Sequence, residues 1–229
     1  MPKFQTARRI VFDLDGTLVD TAPDLAAAMN HVLMGLGRPV LLLEDVRHMV
    51  GQGARRLLEL GLAASGGLKP GDPSFDVLLG RFLAHYEAHI AQDSRPFPGA
   101  VALLHSLMKR GIALGICTNK PQALAEALLD ALALRPFFTS MVGGDVLPVR
   151  KPDPRHLEAA LSPLGAGPAL MIGDSAADAE AARAAGVPVL LARFGYSPDP
   201  VDDLAADACF DSFDALHELL GLSPGLRDD

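Results

Sequence analysis

The chain has 229 residues, 49% of them apolar, with 28 acidic against 20 basic side chains. This length allows one large domain or two small ones, and the apolar fraction is that of a globular chain. The net charge of −8, the two tyrosines and the absence of tryptophan argue against nucleic acid as a partner. No window approaches 18 uncharged apolar residues, so we expect no transmembrane segment.

The number of cysteines and the N-terminal segment indicate the cellular compartment of the protein. Cys117 and Cys209 are too few for a disulfide framework, and the apolar part of MPKFQTARRIVFDLDG is too short for a signal peptide. We therefore expect a cytoplasmic protein with buried thiols, Cys117 being an inert one in a core strand. No heptad pattern fixes the oligomeric state, which stays open between a monomer and a homodimer.

Most of the chain alternates between apolar, strand-like runs and helical stretches rich in alanine and leucine. Strands are predicted at 7–13, 112–119, 140–145, 169–175, 188–195 and 207–210. Helices are predicted at 99–110, 121–133 and 153–164, over AADAEAARAAG, and near 212–221. This alternation predicts a parallel β-sheet with helices on both faces.

Residues 21–96 interrupt the alternation. TAPDLAAAMNHVLMGLG, the two halves of LEDVRHMVGQGARRLLELGL, and residues 74–91 are predicted helices, with no clear strand among them. Thr21, followed three residues later by Asp24, has the spacing of a capping box at the first helix. The block is therefore interpreted as a helical insert between the first strand and the rest of the chain.

Polar residues gather where the predicted strands end. Four strand ends carry Asp13 with Asp15, Thr118 with Asn119, Asp145, and Asp174 with Ser175. Asp178 lies four residues after Asp174, and Lys151, one of few lysines, lies in the loop PVRKPDP. Because ligands bind outside the carboxyl ends of parallel strands, we expect these side chains to share one site.

Three or four carboxylates at one sheet edge repel each other and require a cation. Aspartate oxygens suit Mg²⁺, which takes one or two carboxylates and keeps several waters. Asp13 and Asp174 are the predicted ligands, and Asp178 is expected to bind directly or through water.

The same residues suggest phosphoryl transfer. Asp13 beside a cation could act as a nucleophile, because carboxylates form aspartyl-phosphates. Asp15 points the same way along an extended segment, so it could protonate the leaving oxygen and then activate water. The Thr118 hydroxyl and the amides following Asn119 could hold phosphate oxygens, and Lys151 would offset their charge. Asn119 could equally cap the following helix.

Four stretches resemble, in order and spacing, the motifs of the haloacid dehalogenase superfamily of phosphohydrolases: FDLDGTLVD, ICTNK, RKPDP and IGDSAAD. The resemblance implies a Rossmann-like core and Mg²⁺ as the cofactor. It assigns phosphate binding to Thr118 and Lys151, and metal binding to the acids Asp174 and Asp178. It further implies that the backbone carbonyl of Asp15 ligates the metal.

The resemblance also implies that the helical insert is a cap placed after the first strand. We therefore predict an α/β core domain formed by residues 1–20 and 97–229, and a small helical cap domain formed by residues 21–96. The cap would close over the site to exclude water and select the leaving group.

Within the superfamily, several stretches resemble the phosphoglycolate phosphatase family: VDTAPDLAAAMN, VGQGARRLLE, TNKP, GGD and RFGY. This implies hydrolysis of 2-phosphoglycolate, with Gly51, Gly53 and Arg55 of the cap facing the site and Arg55 meeting the substrate carboxylate. Dehalogenases of the superfamily lack the second aspartate of the first motif, so Asp15 favours phosphoryl transfer over carbon–halogen cleavage.

Three alternatives stay open at the level of sequence. One is a phosphatase for another small metabolite, such as a sugar phosphate, pyrophosphate or pyridoxal phosphate. A second is a phosphomutase of the same superfamily, and a third is a binding protein that has lost catalysis.

Arg193 and Tyr196, after the fifth strand, are at least as well explained by packing as by a role in the site.

Overall fold

The computed structural model describes residues 3–222, and a parallel sheet of six strands forms the centre of the fold. In chain order the strands are β1 (Arg9–Phe12), β2 (Val19–Asp20), β3 (Arg95–Pro96), β4 (Ala113–Cys117), β5 (Ser140–Val142), β6 (Ala169–Gly173), β7 (Val189–Ala192) and β8 (Ala208–Phe210). The large sheet has the order β5-β4-β1-β6-β7-β8, and every pair in it is parallel. The predicted parallel α/β fold is confirmed.

Helices cover both faces of this sheet. After the insert they are α5 (Ala100–Lys109), α6 (Gln122–Ala131), α7 (Pro154–Leu161), α8 (Ala176–Ala184) and α9 (Phe213–Leu219). Alternate residues of β1 enter different cores: Ile10 and Phe12 pack with α5, α6 and α9, and Val11 packs with α7 and α8. Since side chains alternate across a strand, β1 is buried on both faces and reads as an unbroken apolar run.

Four helices precede β3 and share a hydrophobic core of their own. They are α1 (Ala22–Gly35), α2 (Leu43–Arg47), α3 (Ala54–Ala64) and α4 (Phe75–Ala88). Their buried side chains include Met29, Leu58 and Phe82, and Leu124 of α6 packs into the same hydrophobic cluster from outside the insert. This separate core supports the proposed division into a core of 1–20 and 97–229 and a cap of 21–96. Among residues 3–222, no helix has the length and apolar character required to cross a bilayer.

The expectation that 21–96 holds no strand is wrong at its end. β3 pairs antiparallel with β2, with Val19 opposite Pro96 and Asp20 opposite Arg95. The two segments that connect the core to the insert therefore lie side by side and are hydrogen-bonded to each other as β2 and β3. A strand of two residues, one of them a proline, carries neither periodicity nor β propensity that a sequence pattern could reveal.

The expected capping box at Thr21 and Asp24 is also wrong. Thr21 makes no side-chain capping bond and donates its hydroxyl to Asp15 instead. Asp24 is buried and accepts hydrogen bonds from the Ser94 amide and hydroxyl and from the Asp93 amide. Its carboxylate therefore fastens α1 to the segment that leads into β3.

We predict that Asp24→Ala lowers the free energy of unfolding by about 3 kcal/mol, because it leaves the buried amide and hydroxyl of Ser94 and the part-buried amide of Asp93 without their acceptor. Chemical denaturation followed by circular dichroism measures the change. The matched control is Asp76→Ala, which removes an exposed ion pair with Arg55 and should cost less than about 1 kcal/mol. Equal losses in the two variants would contradict this role for Asp24.

Candidate active site

The site begins where β1 ends, at the centre of the sheet. Asp13 follows Phe12 directly and donates its amide to the Ile172 carbonyl of β6. One carboxylate oxygen of Asp13, Oδ1, accepts the Leu14 amide at 2.7 Å and lies 2.9 Å from Lys151 Nζ. No described residue donates to its other oxygen, Oδ2, which leaves that atom available for chemistry.

Three buried carboxylates meet at this edge. Asp13, Asp174 after β6 and Asp178 in the first turn of α8 each offer an oxygen, all within 4.8 Å of one another. Asp174 is fixed by the Thr17 hydroxyl and the Tyr196 amide, each at 2.7 Å. Such a set of oxygens can hold a hard divalent cation.

Lys151 sits inside this acidic cluster. Its buried ammonium lies 2.9 Å from Asp13 and 2.7 Å from Asp178. Burial alone would lower the pKa of Lys151, but the two carboxylates outweigh that effect and raise it, so the lysine stays charged. One ammonium cannot balance three carboxylates.

The excess of buried negative charge affects the pKa values of Asp13 and Asp174. Burial raises the pKa of Asp13 from 3.8 to about 6, opposed by Lys151 and reinforced by Asp178. Burial and the neighbouring charges of Asp178 and Asp13 raise the pKa of Asp174 as well. Without a further cation the cluster therefore takes up protons at a pH where aspartate is normally ionised.

Asp178 is the acid with the most protein partners. Oδ1 accepts from Lys151, while Oδ2 accepts from the amides of Asp174 and Ser175 and from the Ser175 hydroxyl. Asp178 and Ser175 form a capping box at the start of α8. The capping box thus occurs here, at the SAAD of the fourth motif, and Asp178 both caps a helix and orients Lys151.

Glycines provide the space that Asp174 needs. Gly16 has a φ of 82°, and a Cβ there would lie 2.6 Å from Asp174 Oδ2 and 2.8 Å from the Tyr196 ring. On the other side, a Cβ on Gly195 would lie 2.2 Å from the Asp174 Cβ. Only glycine meets both the left-handed backbone and the contact at position 16.

Asp15 lies beside the cluster and faces the helical insert. Its Oδ1 accepts from the Thr21 hydroxyl at 2.7 Å and from Lys120 Nζ at 2.9 Å. Lys120 Nζ also lies 2.7 Å from the hydroxyl of Tyr86 on α4. Asp15 Oδ2 has no partner among the described residues, so one oxygen is oriented and the other is available.

Thr118 and Asn119 follow β4 and are both buried. The Thr118 hydroxyl accepts the Lys120 amide at 3.2 Å. Asn119 does not cap α6; its side chain donates to the carbonyls of Gly51 and Lys151. Its Oδ1 is a buried acceptor that has no hydrogen-bond partner among residues 3–222. Asp145 is exposed and accepts a hydrogen bond from the Gln122 amide, the first amide of α6.

A small cavity joins the sheet edge to the insert. Its lining includes Asp13, Asp15, Thr118, Asn119, Lys120, Gly51 and Gly53. The structure therefore brings the two predicted insert glycines to the site. Lys151 lies 2.9 Å from Asp13. Asp174 and Ser175 line a neighbouring cavity that shares Asn119 and Gly51.

Arg55 is not brought to the site. It is exposed, pairs with Asp76 at 2.8 Å and lies over the Phe75 ring. The buried residues of α3 are Leu57, Leu58, Gly61 and Leu62, and Arg55 lies on the other face of that helix. The expectation that Arg55 meets a substrate carboxylate therefore does not fit this structure.

Other residues of the site escape a sequence reading. Thr17 and the Tyr196 amide hold Asp174, and Lys120 and Thr21 hold Asp15. Thr17 stands two residues after Asp15, so its position in DLDGT is a usable signal. Tyr86 lies in the middle of an amphipathic helix, where an aromatic residue signals only a core. Arg193 pairs with Asp202 and Asp211 at the surface.

Cys117 has the buried position expected of it. Its thiol lies 3.2 Å from His156 Nδ1, and burial raises its pKa to about 12. A thiol with so high a pKa is not ionised near neutrality, which agrees with the prediction of an inert group.

A parallel α/β sheet, acids and a lysine at its carboxyl edge, and a helical insert over them define a Rossmann-like α/β protein with a buried acidic site. The family model described as haloacid dehalogenase-like hydrolase matches residues 7–186. The chain belongs to this family.

The chain aligns with named relatives over nearly its whole length. A phosphoglycolate phosphatase of Caulobacter vibrioides is 50% identical over 206 residues, 89% of this chain and 86% of its own. A phosphoglycolate phosphatase of Rhodospirillum rubrum is 46% identical over 225 residues, 95% and 93% of the two chains. The crystal structure of a predicted phosphoglycolate phosphatase from Haemophilus somnus superposes with a TM-score of 0.86 at 30% identity, covering 93% and 97%.

The raised pKa of Asp13 predicts how stability depends on pH in EDTA-treated protein. Between pH 3.8 and about 6 the folded state holds a proton on Asp13 that the unfolded state has lost. This contribution to stability is complete below pH 3.8 and is lost as the pH rises through about 6. Asp13→Asn removes it, so the free energy of unfolding of wild type minus variant should fall across that range. A difference that stays constant or rises with pH would contradict the assignment.

Proposed function

We propose that this chain is a Mg²⁺-dependent phosphomonoester hydrolase that acts through an aspartyl-phosphate on Asp13, with 2-phosphoglycolate as its substrate. The observation that carries the chemistry is the Asp13 carboxylate. One oxygen is fixed by an amide and an ammonium, and the other accepts no hydrogen bond from the part of the chain that the structure describes and lies at the edge of an acidic cluster. The names of the relatives at 50% and 46% identity support the substrate.

The donor set fits Mg²⁺. Asp13 and Asp174 would hold the ion, with the Asp15 backbone carbonyl as a third protein ligand, and Asp178 would lie close enough to act directly or through water. Because both Asp178 oxygens already accept hydrogen bonds, the water-mediated role suits it better. When bound, the ion would supply positive charge to the phosphate oxygens and to the ionised acids.

In the first step, Asp13 Oδ2 attacks the phosphorus and forms an acyl-phosphate bond. The bond from phosphorus to the ester oxygen breaks, and that oxygen receives the proton of Asp15. Thr21 and Lys120 hold Asp15 by Oδ1, so its Oδ2 is directed to the leaving group. The free alcohol then departs.

In the second step, Asp15 acts as a base. Its carboxylate takes a proton from a water molecule whose oxygen attacks the phosphorus of the acyl-phosphate. The bond between phosphorus and Asp13 Oδ2 breaks, which releases inorganic phosphate and restores both carboxyl groups. Lys151, 2.9 Å from Asp13, would offset the charge on the transferring group, and the Thr118 hydroxyl and the backbone amide of Asn119 would donate hydrogen bonds to its oxygens.

The cap contributes a backbone surface to the same cavity. Gly51 and Gly53 line it, and the Gly51 carbonyl accepts a hydrogen bond from Asn119. We propose that residues 50–53 form the part of the cap that meets the substrate when the cap is closed. This replaces the sequence-based role of Arg55 with one for the loop before it.

Phosphate release should be measured with a panel that includes 2-phosphoglycolate, a sugar phosphate, pyrophosphate and pyridoxal phosphate, with Mg²⁺ and with EDTA. We predict that 2-phosphoglycolate is the best substrate, that EDTA abolishes release, and that Asp13→Asn lowers kcat by at least about 10⁴-fold, as expected on removing the group that forms the covalent bond. Asp145→Asn is the matched control, because Asp145 lies at the same sheet edge outside the cavity and should keep nearly full activity.

The outcomes separate the proposals. Metal-dependent release led by another ester would retain the chemistry and reject the substrate. Conversion of a sugar phosphate to an isomer without free phosphate would indicate a phosphomutase. Full activity in Asp13→Asn would reject Asp13 as the nucleophile, and no release from any ester would favour a binding protein.

A further inference from the structure

We propose that Lys120 is the specificity-determining residue of this site and that it binds a carboxylate group on the leaving alcohol. The inference rests on the proposed phosphatase function and names the class of substrate, a small phosphoester with a carboxylate next to the ester carbon. It also assigns carboxylate recognition to the core, at the end of the second motif, rather than to an arginine of the cap.

The composition of the cavity is the first observation. Apart from the polar residues at the carboxyl edge of the sheet, its lining is mostly apolar side chains of the cap and of α6. They are Leu25, Val50, Ala54, Leu57, Phe82 and Leu124. Among the described residues that line it, Lys120 is the one cation. A negatively charged group on the leaving alcohol could therefore form an ion pair with one residue of this lining, Lys120.

The hydrogen bonds of Lys120 are the second observation. An ammonium group has three N–H donors. Two of them are used, one to Asp15 Oδ1 at 2.9 Å and one to the Tyr86 hydroxyl at 2.7 Å. The third has no partner among residues 3–222, although the side chain is buried. A buried ammonium with an unused donor beside a cavity favours an anionic ligand.

The position of Lys120 is fixed. Its ammonium is held from two sides, by Asp15 of the core and by the Tyr86 hydroxyl of the helical insert. It is therefore preorganised, so little side-chain entropy is lost when a ligand binds.

Distance limits the ligand. Lys120 contacts the same Asp15 that would protonate the leaving oxygen. A carboxylate separated from that oxygen by one carbon would therefore lie beside Lys120.

A matched pair of substrates tests the proposal: 2-phosphoglycolate and its amide, 2-phosphoglycolamide, which have nearly the same shape and differ in charge. For wild type we predict that kcat/KM favours the carboxylate by a factor of about 10 to 100, the size of a charge-assisted hydrogen bond. In Lys120→Met this ratio should fall to about 1. Any loss of Asp15 positioning slows both substrates alike and leaves the ratio unchanged.

Two further variants complete the design. Lys120→Gln keeps a donor for Asp15 but not the charge, so it should also lose the preference, and it serves if Lys120→Met does not fold. Arg150→Gln is the control, because Arg150 is an exposed cation lining the neighbouring cavity beyond Asn119. It should keep the wild-type ratio.

The inference and the proposed function fail in different ways. If wild type prefers the carboxylate and both Lys120 variants keep that preference, Lys120 is not the recognition residue. Loss of the preference in Arg150→Gln alone would assign carboxylate recognition to Arg150, in the neighbouring cavity, and not to Lys120. If wild type hydrolyses the amide as well as the carboxylate, no carboxylate is recognised and the inference is overturned. If it hydrolyses neither, the proposed function itself fails.

Discussion

The structure depends on a charge imbalance buried at the carboxyl edge of the sheet. Asp13, Asp15, Asp174 and Asp178 meet there with two lysines, Lys151 within the cluster and Lys120 beside Asp15. With all acids ionised the group carries about two negative charges, the amount that one divalent cation balances. Without that cation, burial drives Asp13 and Asp174 toward protonation. In the absence of the cation, the Asp13 carboxylate therefore takes up a proton as the pH falls through about 6.

The fold supplies the geometry for this cluster and links it to the cap. β1 lies between β4 and β6, so its end delivers Asp13 between Thr118 and Asp174. Gly16 and Gly195 leave the space in which Asp174 lies against the first loop. Lys120 then connects this edge to α4, because it touches Asp15 and Tyr86 together. The proposed acid–base group and a helix of the insert thus contact the same side chain.

The sequence predicts the sheet, its parallel strands and the residues at their ends, because apolar runs followed by acids and hydroxyls are local signals. It does not predict contacts formed by residues distant in the chain. Asp24 has the spacing of a capping residue, yet it binds Asp93 and Ser94. Arg55 follows the glycine loop in sequence, but helix periodicity turns it to solvent. Tyr86 reaches Lys120 only through the packing of α4 against α1, which no local pattern encodes.

The central claim is that Asp13 carries the phosphoryl group. Protein quenched in acid during turnover of 2-phosphoglycolate can be reduced with borohydride, which converts an aspartyl-phosphate to homoserine, and then mapped by peptide mass spectrometry. We expect homoserine at position 13 only when Mg²⁺ and substrate are both present. Sustained turnover without homoserine at that position, or homoserine at another aspartate, would contradict the account.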